Sequence, residues 1–214
     1  MEPITHAVFD LDGTLLDTED LYSQAAKVVC ARYQAVYTDA IKRAVMGGDT
    51  MRGAEYVIRE LGMPITPQQY VAERELLLHD LFANADAMPG AEALIAALRE
   101  RGIPFAIATS GHRKITLHKL QRHEFLLEAD AIVCGDDPRL EKPKPAPDIF
   151  LLAAQDLGAD PRRCLAVEDS VNGLRAALAA GMRTVALVDP RWGFDPASFA
   201  EAERVIASLT ELTI

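Results

Sequence analysis

Five short apolar runs constrain the fold of this chain more than any other feature of its sequence. Each run is continuous rather than alternating between apolar and polar residues. Continuous runs of this length are expected where a strand is buried on both faces, as in a parallel sheet. The five predicted strands are HAVFDL (6–11), IPFAIAT (103–109), AIVC (131–134), CLAVE (164–168) and TVALV (184–188).

Segments with a helical period separate these runs from about residue 88 onward. Each begins near a proline or a serine and ends at a glycine, as helices commonly do. Regular alternation of strands and helices predicts an α/β fold with a doubly wound, Rossmann-like parallel sheet. The predicted helices are AEALIAALRERG (91–102), APDIFLLAAQDLG (146–158) and SVNGLRAALAAG (170–181).

The interval between the first two predicted strands breaks this alternation. About ninety residues separate Leu11 from Ile103, far more than one crossover helix requires. Its segments have helical patterns: DTEDLYSQAAKVVCARY, AIKRAVM, TMRGAEYVIREL and TPQQYVAERELLLHDLFANA. The sequence therefore predicts a core domain of residues 1–16 and 86–214 and an inserted all-helical cap domain of residues 17–85. Such an insert acts either as a lid or as a purely structural subdomain.

Composition narrows the classes of partner. The 214 residues are 50% hydrophobic, which suffices for one sizeable core, and the net charge of −10 argues against a nucleic acid polymer as partner. Cys30, Cys134 and Cys164 are far apart in apolar surroundings, so we expect buried, reduced thiols. The sequence has no signal-peptide pattern and no run near the ~20 apolar residues of a membrane span, so we expect no membrane partner and a cytoplasmic location.

Polar residues follow the predicted strands at their carboxyl ends, where ligands bind in open α/β sheets. Carboxylates packed closely together repel one another and raise one another's pKa. A hard divalent cation with oxygen ligands relieves that repulsion, and Mg²⁺ typically joins one or two carboxylates to a substrate phosphate. The candidate residues are Asp10 and Asp12, Thr109 and Ser110, Lys142 or Lys144, and Glu168 and Asp169.

The same residues resemble the motifs of the haloacid dehalogenase-like superfamily, in its Mg²⁺-dependent phosphatase branch with a helical cap (subfamily IA). The motifs occur in order: DLDGT (10–14), the strand ending in Thr109, the lysine of KPAPDIF (144–150) and VEDS (167–170). The resemblance covers nearly all of the chain. It implies a phosphomonoester hydrolase with Mg²⁺ as its cofactor.

That resemblance also implies roles for the acidic residues. Asp10 would be the nucleophile that forms a phosphoaspartyl intermediate, and Asp12 the general acid and then the general base. Two residues along an extended chain return a side chain to the same side, roughly 6.5 to 7 Å further on, which suits that division. The carboxylates of Asp10 and Asp169 and the backbone carbonyl of Asp12 would hold Mg²⁺, with Glu168 as a partner of these ligands.

The phosphoryl oxygens would be held by Thr109 and Ser110, and a lysine would offset the crowded negative charge. The segment EKPKPAP offers both Lys142 and Lys144 for that role. The spacing to PAPDIF that is usual in the superfamily favours Lys144. The sequence nevertheless leaves both lysines as candidates for the active-site lysine.

Two other activities and one non-catalytic role are alternatives to hydrolysis. Haloacid dehalogenases need neither Mg²⁺ nor the acid at the position of Asp12, so the intact acids disfavour dehalogenation. The β-phosphoglucomutases commonly have a cap histidine where this chain has Tyr22, which favours hydrolysis over phosphoryl transfer between sugar hydroxyls. A non-catalytic binding module would be expected to lack the nucleophile or a metal-binding carboxylate, and this chain has both. Asn172 stands where a further aspartate often occurs.

Four stretches resemble the pseudouridine 5′-phosphatases and their relatives within the superfamily. They are DTEDLYS (17–23), YTDAIKRAVMG (37–47), MPGAEALIAALRERGIPFAIATS (88–110) and CGDDPRLEKPKPAPDIFLLAA (134–154). That likeness implies a small phosphorylated metabolite as partner, namely a sugar or nucleotide phosphate such as pseudouridine 5′-phosphate. We expect the cap to set specificity through Gly47, Gly48 and Arg52, since glycines permit close backbone approach and arginine binds anionic groups. Arg52 as a solvated residue at a helix start is the alternative. We expect a monomer or a weak dimer.

Overall fold

Two compact units make up the protein. The structure, a computed structural model, describes residues 3–45 and 50–213. One unit, here called the core unit, consists of residues 1–17 and 86–214, and the other, the insert unit, consists of residues 18–85. Each unit is described by itself below.

A parallel sheet of six strands forms the centre of the core unit. The strands run in the order β3-β2-β1-β4-β5-β6, and every neighbouring pair is parallel. Their bounds are β1 His6–Phe9, β2 Phe105–Thr109, β3 Ala131–Cys134, β4 Cys164–Glu168, β5 Arg183–Leu187 and β6 Arg204–Ile206. All five predicted strands are confirmed, and β6 is an additional edge strand.

The strand order reverses at β1, which lies between β2 and β4. Phe9 is in register with Ile107 of β2 on one side and with Val167 of β4 on the other. Strands β2 and β4 are buried along their whole length, as continuous apolar runs predict. The doubly wound α/β fold is therefore confirmed. It places the crevice of the sheet beyond the ends of β1, β2 and β4.

Nine α-helices complete the described parts of the chain. In the insert unit they are α1 Glu19–Arg32, α2 Asp39–Val45, α3 Thr50–Leu61 and α4 Pro67–Phe82. In the core unit they are α5 Ala91–Glu100, α6 Arg113–Leu120, α7 Glu124–Leu127, α8 Asp148–Asp156 and α9 Val171–Ala179. Within residues 3–45 and 50–213, every helix falls short of the length or the hydropathy that a bilayer-spanning segment requires.

Each unit has its own apolar core. In the core unit, Val8 and Ala106 from the sheet pack with Phe150 of α8 and Ala177 of α9. In the insert unit, the buried cluster consists of Val29, Cys30, Ile41, Ala54, Val57, Met63 and Tyr70. The three cysteines are free and buried, which confirms the sequence prediction. Burial raises the pKa of the Cys30 and Cys164 thiols to about 11.

The chain leaves the core unit and returns to it at one place. The backbone N–H of Asp17 donates to the carbonyl of Asp86 over 2.9 Å, and Leu16 pairs with Ala87 in an antiparallel bridge. Arg191 donates to Asp17 Oδ2 over 2.8 Å. The two ends of the inserted segment are therefore joined side by side within the core unit.

Candidate active site

Asp10 lies directly after β1, at the reversal of strand order. Its backbone N–H donates to the carbonyl of Val167 over 3.0 Å, which continues the β1–β4 ladder by one residue. The side chain is buried. A buried carboxylate at a strand end is costly to ionise unless cations and donors surround it.

Lys144 supplies the cation at this carboxylate. Its Nζ donates to Asp10 Oδ1 and to Glu168 Oε1, each over 2.5 Å, and to the carbonyl of Ala108 over 3.0 Å. One lysine thus joins the ends of β1, β2 and β4. Lys142 is exposed, and its backbone N–H donates to Asp148 Oδ1 over 3.2 Å. The structure therefore brings Lys144, and not Lys142, to the carboxylates.

Glu168, the last residue of β4, is held at both oxygens. Lys144 binds Oε1, while the backbone N–H and the hydroxyl of Ser170 each donate to Oε2 over 2.9 Å. The Ser170 hydroxyl also accepts from the N–H of Gly173 and so caps α9. A Cβ atom on Gly173 would overlap the Glu168 carboxylate. Gly173 is therefore the residue that lets this carboxylate lie against the first turn of α9.

Asp169, the next residue, is also buried. The hydroxyl of Thr14, within the DLDGT segment, donates to Asp169 Oδ1 over 3.4 Å. Thr14 is itself fully buried in the turn after β1. Sequence analysis assigned no role to Thr14, although its place in the first motif was the available signal.

Asp12 is paired with a lysine that sequence analysis missed. Lys119 Nζ donates to Asp12 Oδ1 over 2.5 Å, and Lys119 is only 2% exposed. Lys119 belongs to α6, a helix that was not predicted. Thr116, Lys119 and Leu120 are the buried residues of α6, a spacing of three and four that marks one helical face. A lysine on an otherwise buried helical face was the available signal.

Thr109 and Ser110 occupy the end of β2. Thr109 is buried, and its Oγ1 accepts from the backbone N–H of Gly111 over 3.0 Å. Ser110 is exposed, and its carbonyl lies so close to Gly135 that a Cβ atom there would overlap it. The N–H of Gly135 donates to the carbonyl of Gly111 over 2.9 Å. The loops after β2 and β3 therefore hold each other in place.

The charges at the strand ends are only partly balanced. Burial raises the pKa of Asp10 to about 7; Lys144 lowers that pKa, while the negative charges of Glu168 and Asp12 raise it. Burial alone would lower the pKa of Lys144, but Asp10 and Glu168 outweigh burial and hold it above the usual value. The pKa of both groups is raised: burial disfavours the ionised Asp10 carboxyl, and the two acids Asp10 and Glu168 stabilise the one cation of Lys144. The carboxyl groups of Asp10, Asp12, Glu168 and Asp169 lie at these strand ends, with Lys144 bound to two of them and Lys119 to one.

The insert-unit candidates are less defined. Gly47 and Gly48 lie outside the described residues, and Arg52 is an exposed residue of α3. Tyr22 packs edge to face against Phe82, with ring centroids 5.2 Å apart.

Within the described residues, no three His, Cys, Asp or Glu side chains are grouped as metal ligands. The ligand set expected from the sequence is of another kind, with two carboxylates and one backbone carbonyl.

Comparison with known proteins identifies the family. The haloacid dehalogenase-like hydrolase family model matches residues 7–187. "(DL)-glycerol-3-phosphatase 1, mitochondrial" of Arabidopsis thaliana is 38% identical over 97% of this chain and 71% of its own length. The Drosophila melanogaster protein named "Probable pseudouridine-5'-phosphatase" is 39% identical over 99% of this chain and 92% of its own length.

A solved structure agrees with these relatives. The family IA, variant 3 HAD hydrolase of Entamoeba histolytica superposes with a TM-score of 0.82 at 25% identity, covering 99% of this chain and 96% of that chain. Sequence and structure thus point to the same group of enzymes. The chain belongs to the haloacid dehalogenase-like hydrolase family, and within it to the phosphatases.

Proposed function

We propose that this phosphatase is Mg²⁺-dependent, acts through a phosphoaspartyl intermediate on Asp10, and hydrolyses a small sugar or nucleotide phosphate. The observation that carries the proposal is the shared network in which Lys144 binds Asp10 Oδ1 and Glu168 Oε1, each at 2.5 Å. It supports a nucleophile that is buried, oriented and only partly neutralised. A carboxylate of this kind suits covalent catalysis.

The donor set fits a Mg²⁺ ion. Asp10 and Asp169 are buried carboxylates at the ends of paired strands, and the Asp12 carbonyl adds a third hard oxygen donor. Burial, together with the negative charges of Glu168 and Asp12, raises the pKa of Asp10 despite the nearby Lys144, and a bound cation would oppose that shift. When bound, Mg²⁺ would polarise a phosphoryl oxygen and neutralise charge that develops on it.

In the first step, a carboxylate oxygen of Asp10 attacks phosphorus. The ester P–O bond breaks, and the proton of Asp12 passes to the departing oxygen, which leaves as an alcohol. Lys144 stays on Asp10 Oδ1 and fixes the direction of the nucleophile. Thr109 and Ser110, at the end of β2, would orient the phosphoryl oxygens.

In the second step, the Asp12 carboxylate takes a proton from water, whose oxygen attacks phosphorus. The P–O bond to Asp10 breaks, inorganic phosphate leaves, and Asp12 is protonated again for the next cycle. One carboxyl group thus serves both half-reactions, as acid and then as base. Its carboxylate must therefore be held near two successive oxygen positions.

The substrate class is supported by the relatives. Their names refer to glycerol 3-phosphate and pseudouridine 5′-phosphate as substrates. Both compounds are phosphate monoesters of a primary alcohol with neighbouring hydroxyls. We propose the same chemical class for this chain. Gly47, Gly48 and Arg52 remain the proposed specificity residues of the insert unit, and residues 17–85 its proposed cap domain.

The test is phosphate release from a panel of monoesters: glycerol 3-phosphate, pseudouridine 5′-phosphate, uridine 5′-phosphate, glucose 6-phosphate and phosphoglycolate. We expect one polyol or nucleotide phosphate to lead, and turnover to stop with a chelator and resume with Mg²⁺. Asp10→Asn should lower turnover by at least about 10⁴-fold, because no other side chain replaces the nucleophile.

Acid-quenched enzyme should contain phosphate on Asp10 in the wild type and none in Asp10→Asn. Release of phosphate by Asp10→Asn at the wild-type rate would contradict the mechanism. If the panel gives no hydrolysis but glucose 1-phosphate and glucose 6-phosphate interconvert, the enzyme is a mutase. The Tyr22 ring packed on Phe82 favours hydrolysis, since the position offers no histidine to a sugar hydroxyl.

A further inference from the structure

Lys119 is a buried lysine outside the motifs that define the family site. It is 2% exposed, and its Nζ lies 2.5 Å from Asp12 Oδ1. Lysine is almost never fully buried unless it is paired. The pair joins residues 107 positions apart in sequence, so the fold of the core unit creates it.

A purely structural role explains this pair poorly. Taking a lysine and a carboxylate out of water costs free energy that their attraction recovers only in part, and apolar residues of similar volume are often as stable. Leu120 and Thr116 already bury the same face of α6. A methionine at position 119 would continue that face without desolvating a charge. The lysine therefore points to a role at Asp12.

The helix that carries Lys119 is fixed at its amino end. The N–H of Arg113, the first residue of α6, donates to Asp136 Oδ1 over 2.8 Å, and its guanidinium donates to the carbonyl of Ile132. These bonds tie α6 to β3 and the loop that follows it. Lys119, near the other end, thus reaches Asp12 from a braced helix.

The two oxygens of Asp12 have different surroundings. Oδ1 accepts from Lys119, and Oδ2 is the Asp12 atom that comes within 4 Å of a Cβ atom placed on Gly111, at 3.9 Å. Gly111 belongs to the loop after β2, next to Thr109 and Ser110. Oδ2 is therefore the Asp12 oxygen next to Gly111, in the loop that would orient the phosphoryl group.

We propose that Lys119 is a positioning residue that acts through Asp12. By holding Oδ1, it assigns proton exchange to Oδ2 and keeps that oxygen in place for both half-reactions. This inference rests on the proposed function, in which Asp12 is general acid and then general base. Lys144 orients the nucleophile, and Lys119 orients the proton-transfer group.

The test compares two substrates that differ in their need for an acid. The leaving group of p-nitrophenyl phosphate departs without a proton, whereas that of glycerol 3-phosphate requires one. In Lys119→Met, we expect p-nitrophenolate to appear in a rapid burst equal to the enzyme concentration. Turnover should then proceed about 10²-fold more slowly than in the wild type, because water attack still needs the base. Glycerol 3-phosphate should give no burst and a similar loss.

Three further variants separate position from folding. Lys119→Gln keeps an N–H donor and should recover part of the lost turnover, while Lys114→Met, an exposed lysine on the same helix, should behave as wild type. Asp12→Asn should show the same burst as Lys119→Met. The double variant Lys119→Met/Asp12→Asn should lose no more than Asp12→Asn alone, because both changes remove one function. Circular dichroism and the thermal midpoint establish that each variant is folded.

The outcomes distinguish the two proposals. Wild-type enzyme that hydrolyses neither ester with Mg²⁺ overturns the proposed function. If the wild type is active, three results for Lys119→Met would overturn the role of Lys119 alone. These are full turnover, loss of p-nitrophenyl phosphate turnover without a burst, and a loss that adds to that of Asp12→Asn. If Lys119→Met is unfolded, the same criteria apply to Lys119→Gln.

Discussion

Two lysine–carboxylate contacts at the carboxyl ends of the strands differ in the element that supplies the lysine and in their exposure. Lys144 comes from a loop and joins Asp10, directly after β1, to Glu168, the last residue of β4. These three side chains are 2% to 10% exposed. Lys119 comes from a helix and contacts Asp12, whose side chain is 18% exposed. The first contact balances charge in a crowded, largely buried cluster. The second fixes one acid that keeps access to solvent.

This difference matters because neutralisation and positioning respond to different changes. The function of a charge-balancing group is lost when its charge is removed. The function of a positioning group is partly restored by another hydrogen-bond donor. The predictions below use that distinction, starting from the cluster at Lys144.

Lys144→Met should have the largest effect. Removal of the cation leaves Asp10 and Glu168 buried without their shared partner, which typically costs about 3–5 kcal/mol of unfolding free energy. Phosphatase turnover should fall with it. Urea unfolding and initial rates measure both effects, and Lys142→Met is the matched control. Equal losses in the two variants would contradict the assignment of Lys144.

Gly173→Ala should have an intermediate effect. The added Cβ would overlap the Glu168 carboxylate, so either this carboxylate or the first turn of α9 must shift. Overpacking of this kind typically costs about 1–3 kcal/mol. Gly53→Ala in α3 is the control, since its Cβ would meet Val45 at an ordinary 3.5 Å and alanine favours helix. We expect thermal midpoints to fall for Gly173→Ala and to stay or rise for Gly53→Ala.

The last effect is the pH dependence of stability in the absence of metal. The pKa of Asp10 is raised from 3.8 to about 7 in the folded protein, so the folded state binds its proton more tightly than the unfolded state. This contribution to stability is complete below the unfolded pKa and is lost as the pH rises through about 7. In a chelator, the wild type should therefore lose stability between about pH 4 and pH 7 relative to Asp10→Asn.

Added Mg²⁺ should remove most of this difference at pH 8, because a cation stabilises the ionised carboxylate. Differential scanning calorimetry of both proteins at several pH values measures the change. A wild type that gains stability over the same pH range, relative to Asp10→Asn, would show that Asp10 ionises readily in the folded protein.

The sequence predicted the repeated elements of the fold better than the contacts that complete the site. Continuous apolar runs located five strands, because burial on both faces of a parallel sheet leaves a pattern within each run. Strand β6 was missed since it is a short edge strand whose first two residues, Arg204 and Val205, are exposed. Helix α6 was missed because RKITLHKL has a weak apolar pattern and its buried face includes Thr116 and Lys119.

The site followed the same rule. Asp10, Glu168 and Asp169 were predicted as site residues because acids at the ends of buried strands stand out locally. The choice between Lys142 and Lys144 depends on the path of a loop, and the pairing of Lys119 with Asp12 depends on where α6 packs. Neither leaves a local signal strong enough to specify the partner. The need for Gly173 likewise becomes visible only when the Glu168 carboxylate is placed against α9.

The hydrogen bond between Asp17 and Asp86 has a consequence for engineering and for evolution. Because the chain exits and re-enters the core unit at adjacent residues, the distance that any inserted segment must close is fixed and short. Segments of very different length can meet that condition at little additional entropic cost. Residues 17 and 86 are thus adjacent ends between which one inserted segment can replace another, while the acids and lysines of the core unit stay unchanged.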